Sequence, residues 1–137
     1  MDNILLVERD SFFADIFSSL LEFYDLEFVK CTNPELIPDF FERALYKVIL
    51  VNFKDSNDDI VFNLNKIVNY KPKIVILHNY YDKALEEELF FDYVYAYLIK
   101  PKGIIHLKDI LYTLFDKKIA ARRKKKIVNK VKRVANY

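Results

Sequence analysis

"KVILVNFKDSND", residues 47 to 58, decides how the rest of the chain is read. Val48 to Val51 are aliphatic without a polar interruption, the pattern of a buried strand. The run opens into a polar loop at Asn52, and acids follow only beyond it, at Asp55, Asp58 and Asp59. In an open α/β sheet, chemistry sits just past the carboxyl ends of the strands. This strand delivers a neutral amide to that place, and its neighbours must explain why.

Working outward, the same alternation repeats. Asn3 to Val7 is a second apolar run, followed by Ser11 as a helix cap and by Phe12, Ile16, Leu20 and Phe23 at helical spacing. Leu26 to Cys31 reads as a strand, and Asn33 before Pro34 as a helix start running to about Ala44. After the central run, Ser56 and Asp59 have the spacing of a capping box, with Ile60, Leu64 and Ile67 as the stripe behind it. Pro72 resets the chain before a strand over Lys73 to His78. A Glu-rich helix is expected over Asp82 to Phe91, a fifth strand over Tyr93 to Lys100, and a fifth helix from Leu107, Leu111 and Leu114.

Five β-α units in strict alternation imply right-handed crossovers and a parallel sheet covered on both faces. The expected fold is α/β: a flavodoxin-like (βα)5 three-layer sandwich with a five-stranded parallel sheet in the order 2-1-3-4-5. At 137 residues the chain is one domain able to bury a core without disulfides. The expected boundary falls at 116, with residues 1–116 as the domain and 117–137 as a basic helical extension. The first part holds all 20 acids against 12 Lys and Arg, giving −8; the second holds 10 Lys and Arg and no acid, giving +10.

At the carboxyl ends of the strands this topology gathers Glu8, Arg9, Asp10, Asn52, His78, Lys100 and Pro101. Their order and spacing resemble the receiver domain of two-component response regulators, of the CheY-like kind, over residues 2 to about 117. The resemblance implies an acidic pair after strand 1, here Glu8 and Arg9, and a phosphoacceptor Asp at the end of strand 3, here Asn52. It implies Ser or Thr after strand 4, here His78, and Lys-Pro after strand 5, here Lys100 and Pro101. An aromatic conformational reporter falls on Tyr97.

The departures concern the chemistry itself. Phosphoryl transfer to a receiver needs a carboxylate nucleophile and Mg²⁺ held by hard oxygen ligands. An Asn amide forms no acyl phosphate, and Arg9 brings a fixed positive charge with no lone pair for an ion. The expectation is a degenerate pseudo-receiver, with no catalytic residue, no metal, no cofactor and no Mg²⁺. Arg9 is expected to replace the ion by pairing with Glu8 or Asp10, leaving Lys100 to bond the oxygen of Asn52.

Other residues offer weaker leads. His78 and His106 read as structural or surface histidines, Cys31 as a small core hydrophobe, and Gly103, the only glycine, excludes a phosphate-cradling glycine loop. An enzyme is not expected. Tyr93, Tyr95 and Tyr97 alternate along the fifth strand and are expected on one side of it. They mark a partner or switch surface on helix 4, strand 5 and helix 5, or merely cover an edge strand. That surface would take a protein partner or a second copy.

The extension carries Arg122, Arg123, Lys124, Lys125, Lys126, Lys130, Lys132 and Arg133, with Ile127, Val131 and Val134 as a short apolar stripe. It reads as a site for nucleic acid or another polyanion, a dimerising helix, or a solvated linker. Single-cysteine usage and the lack of a signal or transmembrane segment lead to an expected cytoplasmic location. Two functions follow. One is an atypical, phosphorylation-independent signalling module acting through protein contacts. The alternative is a nucleic-acid-binding regulator that uses the basic tail, with the body as a dimerisation platform.

Overall fold

Buried aliphatic runs become the centre of the sheet. In a computed structural model, which describes residues 3–54, 58–80 and 94–115, five strands pair in parallel: β1 (Ile4–Val7), β2 (Phe28–Cys31), β3 (Val48–Asn52), β4 (Lys73–His78) and β5 (Val94–Ile99). Their order is β2-β1-β3-β4-β5, as expected. The register sets Ile4 and Val7 of β1 opposite Val48 and Val51 of β3, and Asn52 opposite Leu77 of β4. Four α-helices are described: α1 (Ser11–Phe23), α2 (Ile37–Arg43), α3 (Asp58–Asn65) and α4 (Ile104–Leu114). The last is the fifth of the expected helices. The expected helix over 82–91, the Ser56 cap, Tyr93 and the extension from 117 lie outside the described residues.

Strand side chains alternate between two core layers. Leu5, Val7, Ile49, Val51, Ile74 and Ile76 meet Ile37 and Phe41 of α2 and Ile60 and Leu64 of α3. Ile4, Leu6, Val48, Leu50, Val75 and Leu77 meet Phe17 and Leu21 of α1 and Leu107, Ile110 and Leu111 of α4. Cys31 is buried in the first layer, where burial pushes its thiol up to about 11. That leaves almost no thiolate at neutral pH.

Two local expectations need correction. In α1 the cap is Asp10, whose Oδ1 accepts from Phe12 N at 2.8 Å and Phe13 N at 3.3 Å, while Ser11 is the first helical residue. The stripe Phe12, Ile16, Leu20 and Phe23 is not the core face. Ala14, Phe17, Ser18 and Leu21 are buried, and Phe12, Ile16 and Phe23 are 67%, 46% and 83% exposed. The helix is apolar on two sides, and the sheet takes the side bearing the small Ala14 and Ser18, which permit close approach. Ser18 Oγ donates to Ala14 O at 2.7 Å, so its burial leaves no polar atom unpaired.

The second correction concerns the tyrosines. Ile74 pairs with Val94 but Val75 pairs with Ala96, so Tyr95 is an extra residue in β5. Such a bulge breaks the alternation of faces. Tyr95 packs half-buried on the α1/α4 layer, whereas Tyr97 is fully buried in the α2/α3 layer. These two tyrosines therefore lie on opposite faces, and Tyr97 has no exposed surface to offer a partner.

Pro34 and Glu35 open a short 3₁₀ turn, Pro34–Leu36, with Asn33 Oδ1 accepting from Glu35 N at 3.1 Å, and α2 follows without a break. Gly103 stands just before α4 against β5. An added Cβ there would lie 2.6 Å from Leu98 Cβ and 2.9 Å from Ile99 N. Close packing, not backbone conformation, requires glycine at this point. Gly103→Ala should lower stability by about 1–3 kcal/mol through overpacking, measured as a reduced urea midpoint with an unchanged slope.

Candidate functional site

The carboxyl ends of β1, β3 and β5 converge on Glu8, Asn52 and Lys100. Glu8 follows β1 directly and is fully buried, so its charge must be met by partners at every oxygen. Its Oε1 accepts from Asp10 N at 2.9 Å and lies 3.3 Å from Lys54 Nζ. Its Oε2 accepts from Asn52 Nδ2. Asn52 Oδ1 in turn accepts from Lys100 Nζ at 2.6 Å. The amide orientation follows from these neighbours, since a carboxylate only accepts and an ammonium only donates.

This geometry accounts for the amide. A side chain between Glu8 and Lys100 must donate on one side and accept on the other, and Asn does both without charge. Ionised Asp would only accept, and would face Glu8 as a second carboxylate. Burial pushes the Lys100 ammonium down from its ordinary range; Glu8 opposes this fall and Lys54 adds to it.

Arg9 does not pair with Glu8 or Asp10. It turns to Asp59 in the first turn of α3, forming an exposed hydrogen-bonded ion pair across the mouth of the site. Lys54 takes the expected role, its ammonium lying 3.3 Å from Glu8, 3.9 Å from Asp10 Oδ2 and 5.1 Å from the centre of the Phe13 ring. Carboxylates at Glu8, Asp10 and Asp59 are thus matched by cations at Arg9, Lys54 and Lys100. Asp10 is further engaged as the cap of α1. Among the described residues, no group of three or more His, Cys, Asp or Glu is placed to hold a metal ion.

His78 ends β4 and is also fully buried, joining two parts of the site from behind. Its Nε2 lies 3.2 Å from Lys54 O, and its Nδ1 lies 2.7 Å from Tyr97 Oη. The carbonyl only accepts, so Nε2 carries a proton, while the Tyr97 hydroxyl lies between His78 Nδ1 and the carbonyl of Tyr80, 3.5 Å away. The ring therefore ties the backbone of the loop bearing Lys54 to β5. Of the two readings, structural or surface, the buried position and the partners Tyr97 and Lys54 favour the structural one. Lys100 and Pro101 follow β5, joined by a cis peptide bond.

Glu8, Asn52 and Lys100 come together as the sequence implied, and Asp10 joins their edge. Lys54 and Asp59 were not singled out. A signal for Lys54 exists: two residues beyond Asn52, it follows the two-residue period that keeps side chains on one side of an extended strand. Asp59 had been read only as a capping residue.

No family model and no curated protein sequence matches the chain. Solved structures do. A two-component response regulator from Clostridium difficile superposes with a TM-score of 0.71 at 19% identity, over 85% of this chain and 98% of that one. The chain has the receiver fold. A response regulator receiver domain from Clostridium thermocellum gives 0.68 at 19% identity, over 85% and 96%. The receiver domain of Ssk1 from Saccharomyces cerevisiae, crystallised with the histidine phosphotransfer protein Ypd1, gives 0.67 at 14% identity, over 82% and 88%. At such identities the likeness is one of architecture, and the site must be judged on its own residues.

Asn52→Asp tests the amide directly. The substitution should destabilise the protein by about 1–3 kcal/mol at neutral pH by facing two buried carboxyls. One of them then holds its proton to a higher pH folded than unfolded. The loss should therefore shrink as pH falls through the carboxylate range, and urea midpoints of both proteins from pH 7 to pH 4.5 check this. A deficit that stays constant or grows on acidification would contradict the assignment.

Proposed function

We propose that this protein is a pseudo-receiver: a phosphorylation-independent signalling module that acts by protein contacts and not as an enzyme. The observation that carries this reading is the closed circuit from Lys54 through Glu8 and Asn52 to Lys100. Phosphoryl transfer to a receiver requires an Asp carboxylate, and Asn52 supplies an amide already engaged at both ends. The donor set also does not fit Mg²⁺. Both oxygens of Glu8 are committed, Asp10 caps α1, and an ammonium stands 3.3 Å from Glu8. A hard dication needs six or so oxygen donors and would be repelled by Lys54 and Arg9.

In this reading the network holds the site in one fixed conformation. Lys54 provides permanently a charge that a metal would provide on demand. The His78–Tyr97 bond adds to this by keeping Tyr97 inside. The constant outer surface around β5 and α4 then serves partners in two-component signalling in the cytoplasm. Half-buried Tyr95 and exposed Ile105 lie on that side of the molecule. The complex of Ssk1 with Ypd1 supports protein partnership as a use of this fold. No helix of the described residues is long and apolar enough to cross a membrane.

A second reading rests on a separate observation, the 10 Lys and Arg without an acid in residues 117–137. Such a segment attracts phosphate backbones by counterion release, so the chain would be a nucleic-acid-binding regulator with the body as a dimerisation platform.

The principal reading is tested with a small-molecule phosphodonor. Incubated with acetyl phosphate and Mg²⁺, the protein should show no added phosphoryl mass and no hydroxylamine-sensitive label. Beryllofluoride should leave its amide NMR spectrum unchanged. A stoichiometric acyl phosphate, or shifts centred on Asn52 and Lys100, would refute it.

A further inference from the structure

The outward face of α1 has no place in the site or the core. By helical spacing, Phe12, Ile16, Ser19 and Phe23 stand opposite the buried Ala14, Phe17, Ser18 and Leu21. Phe12, Ile16 and Phe23 are largely exposed, and Phe13 is 42% exposed beside them. The three phenylalanines leave in water about as much surface as two whole aromatic side chains, roughly 300–500 Å². Isolated exposed apolar residues need no explanation, but a contiguous patch of this size marks a surface that another molecule covers.

The two flanks of this face differ. Toward β2 stand Asp15 and Glu22, both exposed, with Lys30 Nζ of β2 placed 3.3 Å from Asp15 Oδ1. Toward β3 stand Phe13, whose ring centre lies 5.1 Å from Lys54 Nζ, and half-buried Leu20. One flank is charged and the other apolar. A helix that covers the face must match each flank in kind.

A second copy of α1 meets that demand in one orientation. When two copies of a helix pair about a two-fold axis, antiparallel packing sets each flank against its own counterpart, and parallel packing sets it against the opposite one. Antiparallel copies therefore bring Phe13 and Leu20 of each against Leu20 and Phe13 of the other. Parallel copies would press the acids onto the apolar flank and strip them of water. With the axis between residues 17 and 18, Phe12 lies level with Phe23 of the other copy, and Ile16 with Ser19.

Charge is complementary in the same arrangement. Glu22 comes within about 3 Å, measured along the helix, of the level of the other copy's Asp15, where Lys30 already stands. Each Lys30 ammonium then lies between two carboxylates, one from each copy. Covering both faces removes roughly 600–1,000 Å² of aromatic surface, at the low end of specific interfaces, so the pair forms and dissolves with concentration.

We propose that α1 is a self-association helix, through which two copies of the chain pair antiparallel, with Phe12 of each against Phe23 of the other and Lys30 of each beside the other's Glu22. The pairing sets the two Glu8, Asn52 and Lys100 networks at opposite ends of a helix pair about 20 Å long. This inference stands apart from the phosphorylation reading, because it uses neither Asn52 nor any metal.

The full chain is used for the test. Sedimentation equilibrium over a dilution series should give a mass that rises from 16.4 kDa toward twice that value. Phe12→Gln/Phe23→Gln, whose substitutions lie outside the core, should raise the concentration at half-assembly at least about tenfold. An equal urea midpoint at the lowest concentration of the series verifies that this variant stays folded. A monomer throughout the series, or a half-assembly point that the variant leaves unchanged, would overturn the proposal. Independently, Phe12→Cys mixed with Phe23→Cys should oxidise in air to a disulfide between unlike copies, because the two cysteines are level while Phe23 and Phe12 still meet at the far end. Buried Cys31, its thiol raised to about 11, does not compete. Either variant alone should cross-link far less, its two cysteines lying about 16 Å apart along the helices. Equal yields between like and unlike copies, or no cross-link in the mixture, would overturn it too.

Discussion

A buried carboxylate sets the terms for the carboxyl end of this sheet. Glu8 sits at the end of β1 with no access to water, and an ion so placed is tolerated only when its charge and lone pairs are met by the protein. Asn52 meets one oxygen; Lys54 and the amide of Asp10 meet the other. Once Asn52 donates to Glu8, its carbonyl oxygen faces β5 and draws in Lys100. Three strand ends are thereby joined through one carboxylate, and the residue at the end of β3 must be neutral for the circuit to close.

The rest of the site forms a second ring around that centre. Arg9 crosses to Asp59 and connects the β1 loop with α3. His78 bridges the carbonyl of Lys54 and the hydroxyl of Tyr97, so the loop that presents the internal cation is fixed from behind by β5. The bulge at Tyr95 makes this bridge feasible: by shifting one residue, it places Tyr97 in the inner layer. Truncating either member of a buried hydrogen-bonded pair strands the other, which makes the bridge costly to lose.

Much of this was legible in the sequence because the three central strands, β1, β3 and β4, are aliphatic runs bounded by polar residues and Pro. Alternation and handedness led to a parallel sheet, for which the flavodoxin-like order was the natural choice, and Glu8, Asn52 and Lys100 followed from that topology. What escaped has physical causes. α1 is apolar on two sides, and spacing cannot say which side meets the sheet; the small residues Ala14 and Ser18 decided it. A bulge carries no sequence mark in an aromatic-rich strand, so Tyr95 and Tyr97 were placed together when they part. Arg9 follows Glu8 directly in the chain, and charge type alone cannot say that its side chain leaves for Asp59 on α3 while Lys54, from the loop after β3, comes to Glu8.

The central claim is that protein cations already supply the positive charge a receiver takes from a metal. It is tested most directly by urea unfolding of the native chain with and without millimolar Mg²⁺, at constant ionic strength. A ligand that binds only the folded state raises stability by RT ln(1 + [L]/Kd), so a functional metal site would lift the midpoint. The account predicts coincident unfolding curves. A midpoint that rises with Mg²⁺ and is abolished by Glu8→Gln would contradict it.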